Sequence, residues 1–155
     1  MSYMQAMTFE KDSSAGYLAN HMARLFASCL QRRIRPLGLS TGQFPALVEL
    51  WARDGQTQKE LVRALDIEQA TLAYTLARME RDGLILRRPS EEDGRVQEIF
   101  LTEKARRLED QAIGSALAVN EEALAGFSET EKAQFLGFMQ RAIEAMQSAD
   151  ARHTS

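Results

Sequence analysis

The stretch Thr57–Leu101, TQKELVRALDIEQATLAYTLARMERDGLILRRPSEEDGRVQEIFL, decides the fold of this chain of 155 residues. Its apolar periodicity predicts a short helix, a tight turn and a second helix, followed by two short strands joined by a turn. This order of elements is typical of a winged helix-turn-helix. We therefore expect a winged helix-turn-helix lobe at residues 40–101, which includes one further helix before the stretch.

Local signals mark the ends of both helices in this stretch. Thr57, followed three residues later by a glutamate, forms a capping box that starts the first helix. Leu72, Leu76 and Met79 recur at the spacing of one helical face, so they give the second helix a buried side. Gly83 ends that helix, because glycine adopts a positive φ without strain.

The opposite face of the second helix carries polar side chains that can hydrogen-bond base edges or phosphates. Gln69 stands at the N-terminal end, where a recognition helix first meets the major groove. We expect this face to contact DNA through Gln69, Thr71, Tyr74, Thr75 and Arg78. A merely solvated helix face, or packing of Tyr74 against a neighbouring element, is the alternative.

The hairpin that follows has the features of a DNA-binding wing. Residues 84–88 and 96–101 are strand-like, and turn-forming residues lie between them. Arg95 lies just beyond the tip, where a guanidinium can enter a narrow minor groove, and Asp93 can hold it in position. Arg87 and Arg88 on the facing strand are candidate phosphate contacts. For Arg95, an ordinary hairpin-loop charge is the alternative.

These residues resemble the MarR family of bacterial transcription regulators, and within it the SlyA-like branch. The motifs that carry the resemblance are Ile67-Glu68-Gln69 with Thr71-Leu72, Asp82-Gly83-Leu84-Ile85, Asp93-x-Arg95 and Leu101-Thr102-x-Lys104-Ala105. The chain departs from the family pattern at Ala70, where the family often has Ser, and at Tyr74 and Gly94, where it often has Arg. The resemblance implies a mainly α protein with a small β-hairpin wing that represses transcription from a pseudo-palindromic operator in duplex DNA.

Further helix signals flank the winged lobe. Ser13 and Ser14 are N-cap candidates for a first helix, and Ser40 with Gln43 forms a capping box that opens the second. Thr102 caps a helix expected to run to about residue 125. A third capping box, which begins at residue 128, starts the last helix. We expect a single domain, 1–155, in which residues 13–36 and 102–148 are dimerisation helices.

The last helix carries more apolar side chains than one stripe on a small monomer needs. They are Phe135, Leu136, Phe138, Met139, Ile143 and Met146. We expect a second copy of the chain to cover these apolar side chains. The resemblance implies a homodimer that places its two recognition helices about one DNA turn apart, roughly 34 Å.

The net charge of −3 has the wrong sign for a simple DNA-binding protein. Residues 1–107 carry 16 Lys and Arg against 14 Asp and Glu, whereas residues 108–155 carry 3 against 8. The acidity therefore lies in the C-terminal third, and a basic footprint has to come from the placement of a few arginines. This leaves open an alternative function, a winged-helix protein-interaction module without DNA binding.

The single cysteine, Cys29, cannot form an internal disulfide. It falls on the apolar stripe of the first helix, where a buried thiol reacts poorly, so we expect a core role rather than a redox sensor. One branch of the resembled family senses peroxides through a first-helix cysteine, but that cysteine lies further from the helix end. Arg32, Arg33 and Arg35 end the same helix, where they favour its dipole and form surface or dimer ion pairs more readily than DNA contacts.

The resemblance also implies a small aromatic acid as effector, bound between the dimer helices and the winged lobe, where it weakens DNA binding. By position, His21, Arg24 and Phe44 are candidates to line that cleft. Arg24 would pair with a carboxylate and Phe44 would stack on a ring. A core role for Phe44 and an ordinary ion pair for Arg24 are the alternatives.

The sequence offers no catalytic motif, so we expect neither an enzyme nor a cofactor. One cysteine and two distant histidines make no zinc site. No apolar run approaches the roughly 20 residues of a membrane helix, and no signal pattern begins the chain, so we expect a soluble cytoplasmic protein. A dimeric small-molecule enzyme is the remotest alternative.

Overall fold

The structure, a computed structural model, describes residues 8–153. Its α-helices in chain order are α1 (Ala15–Ile34), α2 (Phe44–Ala52), α3 (Gln58–Leu65), α4 (Gln69–Arg81), α5 (Glu103–Arg107), α6 (Glu109–Ala123) and α7 (Glu129–His153). The strands are β1 (Gln56–Thr57), β2 (Ile85–Pro89) and β3 (Gln97–Leu101). The predicted mainly α fold with a small β wing is confirmed. The chain ends that the predicted single domain includes, residues 1–7 and 154–155, lie outside the described residues.

Contacts group the chain into two units, one ending at Val119 and the other beginning at Asn120. The hydrophobic core of the first unit includes side chains from α2, α3 and α4, from the sheet and from the end of α1. Ile34, Leu47, Leu61 and Leu76 are all fully buried in it. The last turn of α1 is therefore anchored to the winged lobe.

The ends of α3 and α4 form as the sequence predicts. The Thr57 hydroxyl accepts the N–H of Glu60 at 3.1 Å, and the Glu60 carboxylate accepts the N–H of Thr57, which completes the capping box. Asp66 ends α3 with a φ of 52°. Gly83 has a φ of 74° after α4, and the next N–H, that of Leu84, donates to the carbonyl of Met79 at 2.9 Å.

The wing is the predicted antiparallel hairpin, formed by β2 and β3. A third strand, β1, which the sequence did not predict, completes the sheet. β2 pairs with β3 in the register Ile85 to Leu101, and β1 pairs with the other edge of β3. The two wing strands begin one residue later than expected. β1 is only two residues long, so it offers no alternating pattern from which to predict it.

Two helix boundaries differ from the prediction. The second helix begins at Phe44 rather than near Ser40, because residues 41–43 form a turn. Only one bond of the predicted capping box is present, in which the N–H of Ser40 donates to Oε1 of the Gln43 side chain at 3.4 Å. The helix capped by Thr102 is interrupted at Leu108. Its N–H donates to Ala105, three residues back, so the helix divides into α5 and α6.

In the second unit, a capping box starts α7 as expected. The N–H of Glu131 donates to the Ser128 hydroxyl at 3.1 Å, and the N–H of Ser128 donates to the Glu131 carboxylate at 2.9 Å. These bonds from Ser128 lower the pKa of Glu131 below its ordinary value. No residue of α7 is buried within the chain. Its apolar side chains, including Phe138 and Met146, are largely exposed.

We expect Gly55→Ala to destabilise the fold by about 1 to 3 kcal/mol. Gly55 has a φ of 75°, and an added Cβ would lie 2.8 Å from Cε1 of Phe100, so the substitution meets both backbone strain and a clash. The measurement is chemical denaturation. Gly42→Ala is the control, since Gly42 has open space around its Cα and no positive φ. Equal unfolding midpoints for the two variants would contradict this account of Gly55.

Candidate nucleic-acid interface

Helix α4 has one buried face and one polar exposed face. Leu72, Leu76 and Met79 are fully buried against the core. The predicted contact residues lie on the other side. Gln69, Thr71, Tyr74 and Arg78 are exposed and Thr75 is half-buried. The packing of the apolar stripe therefore fixes which side chains α4 presents to solvent.

Tyr74 and Arg78 contact each other on this exposed face. The Arg78 guanidinium carbon lies 5.7 Å from the centre of the Tyr74 ring, within the range of a cation–π interaction. The Tyr74 side chain remains 67% exposed, so it does not pack into a neighbouring element of the chain. Its ring restricts where the guanidinium of Arg78 points.

The wing tip presents Arg95 to solvent on a tightly hydrogen-bonded turn. The N–H of Arg95 donates to Oδ1 of Asp93 at 3.1 Å, and Nε of its guanidinium lies 4.0 Å from the same oxygen. The Arg95 side chain is 96% exposed. A backbone bond of 2.8 Å from Ser90 to Val96 closes the turn. Asp93 thus bonds to the backbone of Arg95 and lies near its guanidinium; its role as support for a DNA contact stays a prediction.

The sequence predicted the same phosphate-binding role for Arg87 and Arg88, but the structure gives them different surroundings. Nε of Arg87 lies 3.3 Å from Oε2 of Glu80 in the last turn of α4, and the Arg87 side chain is only 27% exposed. The guanidinium carbon of Arg88 lies 5.3 Å from the centre of the Phe100 ring. These neighbouring cations therefore contact two different parts of the lobe.

Contacts that the sequence did not predict hold the C-terminal end of α4. The carboxylate of Asp82 accepts a 2.8 Å bond from the amide of Gln43, which is 3% exposed. This bond, with a further contribution from Arg81, lowers the pKa of Asp82 below its ordinary value. Lys104 of α5 donates to the Asp82 carbonyl at 2.9 Å. No local pattern marks these contacts, because the partners lie 39 and 22 residues apart in the chain.

The structure leaves the candidate effector residues in separate settings. His21 and Arg24 are exposed on α1. Phe44 is half-buried and meets Trp51 edge to face, with ring centres 6.1 Å apart, so part of its surface belongs to the core. Cys29 is half-buried in the single chain, and a guanidinium nitrogen of Arg32 lies 3.3 Å from its Sγ.

The described residues 8–153 contain no group of three or more His, Cys, Asp or Glu side chains placed to hold a metal ion. None of the helices in this part of the chain combines the length and apolar character needed to cross a membrane.

A helix-turn-helix with an antiparallel wing, a polar exposed second helix and an arginine at the wing tip defines a winged helix-turn-helix protein. The MarR family model matches residues 39–96. The uncharacterized HTH-type transcriptional regulator YwoH of Bacillus subtilis (strain 168) is 33% identical over 116 residues, which cover 75% of this chain and 84% of YwoH. The chain belongs to the MarR family, and it is a DNA-binding transcription regulator rather than an enzyme.

Solved structures agree with this assignment. A MarR family regulator from Listeria monocytogenes, complexed with 26mer DNA, and a SlyA-like regulator from the same organism each match with a TM-score of 0.82 and 26% identity, over 88% of this chain and 91% of theirs. CouR from Rhodococcus jostii RHA1, bound to p-coumaroyl-CoA, shares the fold with a TM-score of 0.74 at 21% identity, over 86% of this chain and 94% of CouR. The expected family is confirmed, and the SlyA-like branch agrees with these neighbours.

Proposed function

We propose that this regulator acts in the cytoplasm as a homodimeric repressor of a pseudo-palindromic operator. The observation that carries the proposal is the pairing of an exposed polar face on α4 with a fully exposed Arg95 at the wing tip. The structural neighbour from Listeria monocytogenes, solved in complex with DNA, supports binding of DNA by this fold. In the proposed complex, α4 enters the major groove and the wing reaches the adjacent minor groove.

The proposed contacts divide by groove. The major-groove contacts are Gln69, Thr71, Tyr74, Thr75 and Arg78. Arg95, supported by Asp93, enters the minor groove, where a narrow groove concentrates negative potential. Arg88 on the wing contacts a phosphate. Contacts to the DNA phosphates position the protein on the duplex, and contacts to the base edges recognise the DNA sequence.

The homodimer is proposed from exposed apolar side chains on α1 in the first unit and, separately, on α7 in the second. Leu25 on α1 is 56% exposed, and Phe138 and Met146 on α7 are 61% and 62% exposed. Large apolar side chains at this exposure along whole helices are typical of a surface covered by another chain. The flanking segments 13–36 and 102–148 are therefore proposed as the dimerisation helices, with residues 40–101 as the DNA-binding lobe.

Loss of the guanidinium in Arg95→Ala should weaken operator binding by roughly 1 to 3 kcal/mol per half-site. The operator is first identified by sequencing the genomic fragments that the wild-type protein retains at two salt concentrations, and affinities are then measured by fluorescence anisotropy. Arg107→Ala is the matched control, because Arg107 is an exposed arginine on α5 that is not among the proposed DNA contacts. If the two variants bind equally well, Arg95 is not a contact.

The same selection tests the alternative function. Enrichment of a pseudo-palindrome, with affinity that falls steeply as salt rises, supports the operator-binding dimer. A well-folded dimer that enriches no sequence and binds no fragment in a salt-dependent way would instead be a protein-interaction module.

Met146→Glu should shift the protein from dimer to monomer, because it buries a charge at the proposed dimer surface. Ser148→Glu places the same charge on the opposite side of α7, at two residues' distance, and should leave the dimer intact. Sedimentation equilibrium measures the oligomeric state, and circular dichroism establishes that each variant keeps its helices. Dimers of equal stability in both variants would remove this face of α7 from the interface.

A small aromatic acid is proposed as the effector of this regulator. The supporting observations are an exposed cation, Arg24, on a helix of the proposed dimer surface, and the partly exposed ring of Phe44 at the start of α2. A guanidinium and an aromatic ring are the groups that a benzoate-like anion would use.

We expect millimolar salicylate to release the wild-type protein from its operator and to release Arg24→Ala much less. Arg35→Ala, at an exposed position just beyond α1, serves as the control and should respond as the wild type does. Operator occupancy is followed by anisotropy at constant ionic strength. A wild-type complex that persists at every salicylate concentration would reject this class of effector.

A further inference from the structure

Adjacent arginines on β2 have opposite orientations. In the wing register, Arg87 stands opposite Ile99 and Arg88 opposite Glu98. Successive side chains of a strand point to opposite faces, and Ile99 is buried, so Arg87 lies on the face of the hairpin that turns toward the core. Arg88 lies on the outer face over the ring of Phe100.

The core-side arginine is coupled to the recognition helix. Nε of Arg87 lies 3.3 Å from Oε2 of Glu80, and the two side chains are 27% and 52% exposed. Glu80 belongs to the last turn of α4, and Arg87 lies in the middle of β2. Their ion pair therefore spans the short connection between the element proposed for the major groove and the hairpin proposed for the minor groove.

We propose that Arg87 is a positioning residue, and that with Glu80 it sets the angle of the wing relative to α4. This rests on the proposed operator binding. The pair holds the wing so that Arg95 reaches the minor groove while α4 occupies the major groove. Arg88, on the outer face, is then the phosphate contact of β2, and Arg87 does not take the phosphate-binding role expected from the sequence.

The two roles of Arg87 predict opposite effects when Glu80 is removed. Glu80 is a carboxylate close to a surface that binds a polyanion. If Arg87 contacts a phosphate, Glu80→Ala removes a repulsive charge and frees the arginine, so operator binding tightens. If Arg87 positions the wing, the same substitution removes the ion pair that fixes the wing angle, so operator binding weakens. This happens even though the loss of a negative charge would by itself favour binding to DNA.

Operator affinities of the wild type, Glu80→Ala, Arg95→Ala and the double variant test the proposal. We expect Glu80→Ala to weaken binding about fivefold, and we expect it to have little further effect once Arg95 has been removed, because it acts through the placement of Arg95. Glu91→Ala is the matched control, since Glu91 is an exposed wing carboxylate outside the pair. It removes the same charge and should bind as tightly as the wild type or more tightly.

Salt dependence separates positioning from phosphate contact. Glu80→Ala should keep the wild-type slope of log affinity against log salt, whereas Arg88→Ala should lower that slope by about one per half-site. Thermal unfolding serves as the check on the fold, because a partly exposed ion pair contributes little to stability and the unfolding midpoint should barely move.

Three results overturn the proposal. They are binding by Glu80→Ala that equals or exceeds the wild type, additive effects of Glu80→Ala and Arg95→Ala, and a reduced salt slope for Arg87→Ala equal to that of Arg88→Ala. In each of these cases the wild-type protein still binds its operator, so the proposed function stands. Failure of the wild type itself to bind DNA is a separate result, which rejects the proposed function.

Discussion

Burial of the apolar stripe of α4 is the constraint on which the rest of the interface depends. Leu72, Leu76 and Met79 are removed completely from water, and each contributes roughly 1.5 to 3 kcal/mol by its burial. Rotation of the helix about its axis would expose these side chains and bury Tyr74 or Arg78 without partners. The core therefore determines which residues of α4 are available to DNA.

Polar contacts also join the winged lobe to α5 and to Thr102, which caps it. The Trp51 indole N–H donates to the carbonyl of Ala105 at 3.1 Å, and the Thr102 hydroxyl donates to the carbonyl of Gly83 at 2.7 Å. Arg106 pairs with Asp54 at 2.8 Å, and the Asp54 carboxylate raises the pKa of Arg106. Because these bonds come from α2, from the residues after α4 and from the turn before β1, they hold α5, the first part of the segment proposed for dimerisation, against the winged lobe.

Features encoded over a few residues were predictable from the sequence, and features that depend on distant partners were not. The capping boxes at Thr57 and Ser128 and the end of α4 at Gly83 follow from neighbouring residues, and these predictions were confirmed. The box predicted at Ser40 was wrong, because the second helix begins at Phe44. The bond between Gln43 and Asp82 joins residues 39 positions apart, and no local pattern reveals it. For Arg87 and Arg88 the signal was present, since adjacent strand residues alternate between faces, but their partners become known only from the packing of the wing on α4.

The bond between Asp93 and the backbone of Arg95 has a consequence for the cost of complex formation. A long side chain that becomes fixed on binding gives up rotational freedom worth about 0.5 to 1.5 kcal/mol, and a mobile turn would give up backbone freedom as well. In this wing the turn is already ordered by hydrogen bonds from Ser90 to Val96 and from Arg95 to Asp93. The Arg95 side chain still has to be ordered on binding, but the backbone of the turn has already lost its conformational entropy during folding.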